Sequence, residues 1–590
     1  MSINRIAHGF AAVAALCALA PAEAGEFASA LVGRVTYTDT PGWSVAVETK
    51  TPTAGVEEWR FSFAADKPSA PPKTTIECAL PLNDAVGRWT TGAGLFKRLP
   101  PNWAGGFSST LYSQAPVIAY FSDSNENRGV VACSEALRRV NFEMGIVEET
   151  AQSGYKGSLF SESEPPLSSY EVSIRVDLRP VFYADALRET FAWYETMPTC
   201  KPVAVPVAAF DPLYSFWYSY HQEVTAPAVE KECAAAVPYG MKTIIVDDGW
   251  QTDDNNRGYS SCGDWQVSTN RFPDFAAHVK KVHALGLKYM IWYSVPMIGF
   301  KSKNHERFKG KYLWSESGRW TDFSCLDPRF PEVREFLIGN YEHALRVWGV
   351  DGLKLDFIDS FSFRGEDPAV KENYAGRDIK SLSEAIDRLM TDINKRLAAI
   401  KPDVLIEFRQ SYVGPAIRKY GNMFRAGDCP MDTLVNRVST LDLRLSSGNA
   451  AVHSDMLMWN AKSSPETMSK QFWSILFAVP QISMRLGELP AAHRAKLREM
   501  LDFWLAHRDT LMKGELRPMR PDLNYPIVYA YGKGEQIVAV YDRGQVVDVD
   551  RTRGAKVYVV NATDAEALVV RENGRVREVK IAPYSHAQLD

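Results

Sequence analysis

The stretch Thr243–Trp250 reads Thr-Ile-Ile-Val-Asp-Asp-Gly-Trp and gives the clearest indication of the fold. Its apolar half is typical of a buried strand, and the acidic pair with the following glycine marks the end of that strand. A second stretch of this kind, Gly-Leu-Lys-Leu-Asp, occupies Gly352–Asp356. Helical segments lie between the two, and strands that alternate with helices are typical of βα units in a parallel sheet. We therefore predict an α/β fold.

The same alternation extends to both sides of these stretches. Further segments with strand character are Phe216–Tyr220, Leu287–Trp292, Val404–Glu407, Asn422–Arg425, Val452–Leu457 and Gln481–Met484. The intervening helices are predicted at Phe275–Leu285, Pro331–Trp348 and Ile379–Ile400. Together with the two stretches above, this count predicts a (β/α)8 TIM barrel, to which we assign residues 206–510.

The flanking regions have β character without this alternation. Residues 25–205 contain short alternating or β-branched runs between prolines and glycines, which predicts an N-terminal antiparallel β-sandwich domain. Only Val181–Met197 has helical character there, and it leads out of the domain. Residues 511–590 return to strand-like runs and predict a small C-terminal antiparallel β-sandwich domain.

Residues 1–24 have the pattern of a secretory signal peptide. Arg5 precedes the short apolar run Gly9–Ala20, and Ala22-Glu23-Ala24 fits an A-x-A cleavage site. The apolar run is shorter than the roughly 20 residues that a membrane-spanning helix needs. We expect cleavage near Ala24 and a secreted or periplasmic protein; a signal anchor or a buried helix is the alternative.

The composition excludes several classes of protein. The chain has 590 residues, a net charge of −4 and 46% hydrophobic residues, which predicts neither global disorder nor the basic surface of a nucleic-acid-binding protein. No later segment is apolar for long enough to span a membrane. Loss of Cys17 with the signal leaves scattered cysteines without a CxxC pair or clustered histidines, so no zinc site is expected. Disulfide pairing and oligomeric state stay open.

Carboxylates follow three of the predicted barrel strands. Asp247 and Asp248 follow one strand, Asp356 ends another, and Asp428 comes shortly after a third. Barrel enzymes place their catalytic groups at these strand ends, although a single carboxylate there can also cap the next helix. Glycosidic bond cleavage needs two facing carboxylates, one that stays ionised and attacks and one with a raised pKa that protonates the leaving oxygen.

Lys354 lies two residues before Asp356, so both side chains point to the same face of the strand. Its ammonium group favours the ionised form of Asp356, which a nucleophile requires. Asp247 and Asp248 offer acceptors for sugar hydroxyls. The residues alone therefore predict a two-carboxylate site for a sugar at the mouth of the barrel.

A series of motifs resembles glycoside hydrolase family 36 of clan D. These motifs are VDDGWQ at Val246–Gln251, GDW at Gly263–Trp265, RFP at Arg271–Pro273, the Trp-bearing strand Met290–Trp292 and KLD at Lys354–Asp356. The VDDGWQ form and the RAGD motif at residues 425–428 look closest to the branch of raffinose synthases and seed imbibition proteins. The resemblance covers residues 210 to 490 and implies a retaining α-galactosidase that works without metal or cofactor.

The resemblance also implies a role for each matching residue. Asp356 would be the nucleophile and Asp428 the acid/base. Asp247 and Asp248 would hold O4 and O6 of galactose, and Lys354 would hold O3 and O4. The remaining substrate-binding residues would be Trp292, which packs on the sugar, Trp250 and Trp265, which shape the pocket, and Arg409 and Arg425. Core packing is the alternative for each tryptophan.

Some positions depart from the family pattern. The family commonly has an asparagine soon after the nucleophile, whereas this chain reads Asp-Phe-Ile-Asp at Asp356–Asp359. Residues 407–414 replace the usual cysteine and glycine-rich run that contacts O2. Arg409 is a candidate to replace that contact. For Asp432, helix capping is favoured over catalysis, and His453-Ser454-Asp455 forms either a wall of the site or a cap.

Three functions are compatible with these residues. The first is exo-acting hydrolysis of terminal α-galactosides in oligo- or polysaccharides. The second is transglycosylation, or hydrolysis of another α-glycoside such as an α-glucoside, α-xyloside or α-N-acetylgalactosaminide. The third is a non-catalytic carbohydrate-binding protein, which the presence of both Asp356 and Asp428 disfavours.

Overall fold

The computed structural model describes residues 24–38, 40–318 and 321–590. The predicted signal peptide, apart from Ala24, lies outside these residues.

Two facing antiparallel sheets form the N-terminal part. Their strands are β1 (Ala24–Ser29), β2 (Gly33–Thr38), β3 (Ser44–Thr53), β4 (Val56–Ser69), β5 (Thr74–Leu80), β6 (Ala85–Trp89), β7 (Phe107–Ser109), β8 (Val117–Ser122), β9 (Asn127–Cys133), β10 (Val140–Val147), β11 (Gln152–Leu159) and β12 (Leu167–Asp177). One sheet has the order β1-β2-β5-β11-β10-β7 and the other β3-β4-β12-β9-β8-β6. Trp59, Phe61 and Tyr155 belong to the buried core that these strands share. The predicted sandwich is therefore confirmed.

Helix α1 (Tyr183–Glu195) connects the sandwich to the barrel, within the predicted range Val181–Met197. Its buried face includes Leu187 and Phe191, which pack into the large core of the barrel. The backbone then runs through short 3-10 turns at Pro198–Cys200 and Val207–Phe210.

The central part is a nearly closed parallel barrel. In chain order its region contains β13 (Leu213–Ser215), β14 (Thr243–Val246), β15 (Lys288–Ser294), β16 (Met297–Gly299), β17 (Tyr312–Glu316), β18 (Phe323–Leu326), β19 (Gly352–Asp356), β20 (Leu405–Arg409), β21 (Met423–Arg425), β22 (Ala451–His453) and β23 (Gln481–Ile482). The barrel order is β22-β21-β20-β19-β15-β14-β13-β23. Bridges from His453 to Val479 and from Leu457 to Ile482 bring its two edges together. The predicted TIM barrel is confirmed.

Helices surround the barrel because each parallel strand needs a crossover connection. They are α2 (Trp217–Tyr220), α3 (Ala226–Ala236), α4 (Phe275–Ala284), α5 (Asn304–Arg307), α6 (Pro331–His343), α7 (Pro368–Lys371), α8 (Leu382–Ile400), α9 (Thr433–Ser446), α10 (Pro465–Ser474) and α11 (Ala491–Lys513). A π-helical turn at Ala344–Trp348 extends α6. In α8, an apolar face that includes Ile386, Leu389 and Ile393 is buried.

The predicted first barrel strand, Phe216–Tyr220, is wrong. The strand is Leu213–Ser215, and the following aromatic residues form the helical turn α2. Phe216 and Tyr220 are four residues apart, so a helical turn brings their rings onto one side, with centroids 5.5 Å apart. The aromatic run resembled a strand because aromatic residues are also frequent in strands.

The strands β16, β17 and β18 form a small antiparallel sheet in the loop after β15, with the order β16-β18-β17. The sequence did not indicate this sheet. Phe323 of β18 packs edge-on against Tyr259, whose ring also stacks on Trp292 of β15. The sheet therefore lies against the C-terminal end of the barrel.

Two further sheets form the C-terminal part. Their strands are β24 (Glu515–Met519), β25 (Ile527–Gly532), β26 (Glu535–Val540), β27 (Val546–Val549), β28 (Lys556–Asn561), β29 (Ala567–Glu572), β30 (Arg575–Lys580) and β31 (Ser585–Leu589). Most neighbours are antiparallel, as predicted, but β26 pairs with β28 and β27 with β29 in parallel. The chain crosses from one sheet to the other after β26, after β27 and after β28, so β28 and β29 each return beside the previous strand of their own sheet and run parallel to it.

Two further properties of the described part concern its cysteines and its helices. Its cysteines, all buried, carry free thiols: Cys78, Cys133, Cys200, Cys233, Cys262, Cys325 and Cys429. Among the helices in residues 24–38, 40–318 and 321–590, none is long and apolar enough to cross a membrane.

Candidate active site

The C-terminal ends of the barrel strands bring the predicted site residues together. The parallel register places Lys354 of β19 beside Trp292 of β15 on one side and Glu407 of β20 on the other. Two residues further along β20, Arg409 lies beside Arg425 of β21. These neighbours are far apart in the sequence, and only the order of the strands makes them adjacent.

Asp356 lies at the centre of this arrangement and is buried. Its Oδ2 accepts a hydrogen bond from Nε1 of Trp292 at 3.1 Å. Its Oδ1 accepts from Nε of Arg409 at 2.7 Å, from the hydroxyl of Tyr412 at 3.2 Å and from the backbone N–H of Phe357 at 2.8 Å. Burial disfavours the charged carboxylate, but Arg409, Lys354 and these donors outweigh it, so the pKa of Asp356 lies below its ordinary value. The carboxylate is therefore ionised, as predicted for a nucleophile.

Asp247 and Asp248 form a buried acidic pair beside Lys354. Nζ of Lys354 donates to Oδ2 of Asp247 at 2.5 Å. Asp248 accepts from the side-chain amides of Gln222 and Gln251, each at 2.6 Å. Burial raises the pKa of Asp248 to about 6, although both amides favour the charged form. The pair presents carboxylate oxygens that are already oriented by protein donors.

The glycine after this pair is required by close backbone packing. Gly249 has a φ of +117°, and a Cβ at this position would lie 2.6 Å from Cα of Gln222. Any other residue would push away the loop that carries Gln222. The Asp-Asp-Gly sequence thus holds Gln222 against Asp248.

Asp428 follows β21, and its side chain is 52% exposed. Nη2 of Arg425 donates to Oδ1 of Asp428 at 2.8 Å. Partial burial raises its pKa, but Arg425, Lys354 and Arg409 outweigh it, so the pKa of Asp428 lies below its ordinary value. A raised pKa was expected for the acid/base group, and in the free site this expectation is wrong because the buried guanidinium of Arg425 faces the carboxylate.

The three predicted tryptophans occupy different depths. Trp292 lines the site and donates to Asp356. Trp250 is fully buried behind it, and its Nε1 donates to the backbone carbonyl of Trp292 at 2.9 Å. Trp265 is also buried and contacts Trp292 edge-on with ring centroids 6.1 Å apart. The structure thus places Trp250 and Trp265 in the packed wall that supports Trp292.

Arg409 and Arg425 differ in what they contact. Arg409 donates to Asp356 and lies over the rings of Phe357 and Tyr412, with Cζ 5.4 and 5.2 Å from the centroids. Arg425 is buried and donates to Asp428 and to Asp455. Arg409 therefore faces the nucleophile, whereas Arg425 faces the partner carboxylate.

Hydrogen bonds settle the role of Asp432 and define the surroundings of His453. The side chain of Asp432 accepts from the backbone N–H groups of Leu434 and Val435, so its predicted role as the cap of α9 is confirmed. Nε2 of His453 lies 2.8 Å from the carbonyl of Ala209. Burial lowers the pKa of His453 to about 3, so this imidazole is neutral and structural.

Sequence reasoning missed several contacts of the site. The hydroxyl of Tyr412 lies 3.2 Å from Oδ1 of Asp356 and 2.9 Å from Oδ1 of Asp359, so the two carboxylates share its single proton. Tyr412 lies three residues after Arg409 in the loop that departs from the family pattern. That departure was the only signal. Gln222 follows β13 and has no local signal, because its role depends on packing against the loop after β14.

The assembled site combines an ionised, oriented carboxylate with a second, partly exposed carboxylate and a set of buried polar groups. Such a set can form and break an ester at a sugar carbon and can move a proton at the leaving oxygen. Within the part of the chain that the structure describes, no three His, Cys, Asp or Glu side chains are arranged to hold a metal ion.

A family model and several curated proteins match part of the chain. A model of the Melibiase family matches residues 213–403. The chain is 32% identical over 147 residues to Alpha-galactosidase 1 of Pediococcus pentosaceus, which covers 24% of this chain and 19% of that protein. It is 27% identical over 203 residues to Alpha-galactosidase Mel36A of Lactobacillus acidophilus, which covers 32% and 25%. The chain thus spans about a fifth to a quarter of the length of these curated relatives.

Solved structures share the fold over most of the chain. A variant of the GH36 alpha-galactosidase AgaA from Geobacillus stearothermophilus, in complex with stachyose, superposes with a TM-score of 0.67 at 13% identity, covering 94% of this chain and 82% of that one. The alpha-galactosidase of Lactobacillus brevis gives a TM-score of 0.62 at 14% identity and covers 89% and 75%. The likeness shows a common arrangement of barrel and flanking β sheets.

Proposed function

We propose that the protein is a retaining exo-glycoside hydrolase that releases terminal α-linked galactose from oligo- or polysaccharides. One observation carries the proposal: Asp356 is buried, ionised and oriented by Trp292, Arg409, Tyr412 and a backbone N–H at the mouth of the barrel. The Melibiase match and the similarity to alpha-galactosidases support galactose as the sugar. The neighbour structures with stachyose and raffinose support an oligosaccharide substrate.

The reaction follows from the two carboxylates. A carboxylate oxygen of Asp356 attacks the anomeric carbon and forms a β-galactosyl ester, while the glycosidic C–O bond breaks. Protonated Asp428 gives its proton to the leaving oxygen. Asp428, now ionised, then accepts a proton from water as the water oxygen attacks the same carbon. The ester C–O bond breaks, Asp356 regains its negative charge, and galactose leaves with the α configuration.

The buried polar groups supply the sugar contacts in this proposal. Asp247 and Asp248 accept from the hydroxyls at O4 and O6, and Lys354 donates to O3 and O4. The side-chain amides of Gln222 and Gln251 hold Asp248 in place, so it does not have to reorganise when the sugar binds. Trp292 provides the apolar wall, with Trp250 and Trp265 behind it.

We also propose which group of similar enzymes this chain resembles most. The VDDGWQ and RAGD motifs support a place near raffinose synthases and seed imbibition proteins. In that case an acceptor sugar would compete with water for the galactosyl ester. The same carboxylates serve both reactions, so transglycosylation remains the second candidate.

The test is a panel of 4-nitrophenyl α-glycosides with the wild-type protein and Asp356→Asn. We expect release from the α-galactoside, no detectable turnover by the variant, and an α anomer as the first product in ¹H NMR. Release from an α-glucoside, α-xyloside or α-N-acetylgalactosaminide alone would overturn the choice of sugar. A first product of β configuration would overturn the retaining mechanism. Binding without turnover of any member would indicate a carbohydrate-binding protein. Added raffinose or sucrose as an acceptor tests transfer.

We also propose that the protein is exported with cleavage near Ala24. Arg5, the apolar run Gly9–Ala20 and the A-x-A site support this. N-terminal sequencing of protein recovered outside the cytoplasm should begin at Gly25, and an intact Met1 in that fraction would contradict it.

A further inference from the structure

Asp455 lies two residues after the end of β22, in the buried His453-Ser454-Asp455 cluster. Asp455 has no exposed surface. One of its oxygens accepts from Nη1 of Arg425 at 2.5 Å. The other accepts from the hydroxyl of Tyr218 at 3.0 Å and from the backbone N–H of Cys429 at 2.7 Å. Asn436 of α9 binds the backbone of Asp455 on both sides, which fixes its position.

Asp455 is connected to Asp428 by two routes. Through the first, Arg425 donates to Asp455 with one amino group and to Asp428 with the other, over 2.5 and 2.8 Å. Through the second, Asp455 holds the N–H of Cys429, the residue that follows Asp428 in the chain. The two connections fix both the side chain that faces Asp428 and the backbone that carries it.

The charge of Arg425 is therefore shared among carboxylates. Besides Asp428 and Asp455, the buried Glu407 lies 3.9 Å from its Nε. Arg425, Lys354 and Arg409 favour the ionised form of Asp428. Burial raises the pKa of Asp455, and the negative charge of Asp428 raises it further, so the two coupled carboxylates oppose each other's ionisation. Without the negative charge of Asp455, more of the field of Arg425 would act on Asp428, because buried charges are poorly screened.

We propose that Asp455 is a positioning residue for Asp428: acting through Arg425 and the N–H of Cys429, it orients the acid/base carboxyl and keeps it able to carry a proton. This inference rests on the proposed function. Asp455 does not touch the substrate. It acts by neutralising part of the charge of Arg425, which would otherwise hold Asp428 in the ionised form.

The test compares Asp455→Asn with a matched control, Asp442→Asn. Asp442 is also a buried carboxylate, 3% exposed, and it binds Lys97, Trp89 and Tyr525 away from the site. In Asp455→Asn we expect the alkaline limb of the kcat/KM profile to move about one pH unit lower. The acid limb, set by Asp356, should stay in place. Asp442→Asn should lower the melting temperature and leave both limbs unchanged.

The leaving group provides a second readout. A general acid matters less when the leaving group is already acidic, since such a group needs little protonation. The fall in kcat/KM caused by Asp455→Asn should therefore be larger, by about tenfold or more, on methyl α-galactoside or raffinose than on 4-nitrophenyl α-galactoside. An unchanged alkaline limb together with equal losses on both substrate types would overturn the inference.

A third measurement is independent of turnover. In protein labelled with ¹³C at the aspartate carboxyl carbons, the Asp428 signal is the one missing from Asp428→Asn. Its titration midpoint should fall in Asp455→Asn, and an unchanged midpoint would contradict the inference. Absence of turnover by the wild-type protein would instead overturn the proposed function and leave this result standing. If Asp455→Asn does not fold, Tyr218→Phe removes one donor to Asp455 and should shift the midpoint in the same direction by less.

Discussion

Nε of Arg409 lies 2.7 Å from Oδ1 of Asp356, so a guanidinium is paired directly with the carboxylate that we assign as the nucleophile. Arg409 is held between the rings of Phe357 and Tyr412, and its Nη1 donates to the carbonyl of Gln410 at 3.0 Å. A cation in this position favours the ionised carboxylate. Arg409 belongs to residues 407–414, the segment that departs from the family pattern. Its contact with Asp356 gives this unusual residue a direct role at the nucleophile.

Replacement of Arg409 tests this role. In Arg409→Met the pKa of Asp356 should rise, because the cation that most favours its ionised form is lost while burial continues to disfavour the anion. The acid limb of kcat/KM should therefore move to higher pH. Activity at low pH should fall about tenfold for each pH unit by which the limb moves. The pH profile of kcat/KM is the measurement.

Arg364→Met is the matched control. Arg364 also stacks on an aromatic ring, with Cζ 3.5 Å from the centroid of Trp314, and is half exposed. Its loss should leave the profile unchanged. An acid limb that stays in place in Arg409→Met would contradict the direct electrostatic role.

Removal of the acid/base carboxyl should depend on the leaving group. In Asp428→Ala we expect kcat/KM to fall by about 10²–10⁴ on raffinose, where the leaving oxygen needs a proton. The loss on 4-nitrophenyl α-galactoside should be much smaller. Asp432→Ala, which removes only the cap of α9, should cost about 1 kcal/mol of stability and leave the ratio between the substrates unchanged. Equal losses on both substrates in Asp428→Ala would exclude Asp428 as the general acid.

The pH dependence follows from the two carboxylates. Asp356 must be ionised and Asp428 protonated, and the pKa of each lies below its ordinary value in the free site. The rate rises as Asp356 loses its proton and falls as Asp428 loses its own, so the kcat/KM optimum should be acidic. A bound sugar would cover the exposed half of Asp428 and raise its pKa, so the alkaline limb of kcat should lie at higher pH than that of kcat/KM. An optimum above pH 7 would contradict this account.

A buried ion cluster just before α6 should control stability. Arg329 is fully buried and binds Asp327 at 2.9 Å and Asp367 at 2.7 Å. Arg329→Met would leave both carboxylates without this partner, at a cost of about 3–5 kcal/mol. Thermal unfolding monitored by circular dichroism should show a clear drop in melting temperature. Arg34→Met, which breaks an exposed pair with Glu26, should change stability by at most about 1 kcal/mol. Equal melting temperatures for the two variants would contradict the prediction.

The sequence predicted those features that depend on neighbouring residues. The strands β14 and β19 and the carboxylates Asp247 and Asp356 were found because an apolar run ends on an acidic residue. Lys354 was placed correctly because alternation along a strand fixes its face. The exchange of a strand for a helix at Phe216–Tyr220 shows the limit of this reasoning, since aromatic residues occur in both.

Features that depend on distant parts of the chain could not be predicted. Gln222 reaches Asp248 only through the packing of two loops. Asp455 reaches Asp428 only through Arg425 and the backbone N–H of Cys429. The lowered pKa of Asp428 has the same origin, because it depends on which groups share the guanidinium. The parallel pairs of the C-terminal sheets arise from crossovers that strand patterns do not encode.

Covalent trapping would identify the nucleophile directly. A 2-deoxy-2,2-difluoro or 5-fluoro α-galactosyl substrate with an activated leaving group should accumulate the galactosyl ester, since the fluorine slows its hydrolysis. Peptide mass spectrometry should then find the sugar on Asp356. An adduct on Asp428 or on another carboxylate would contradict the account, as would rapid turnover of ordinary α-galactoside to the β anomer with no adduct.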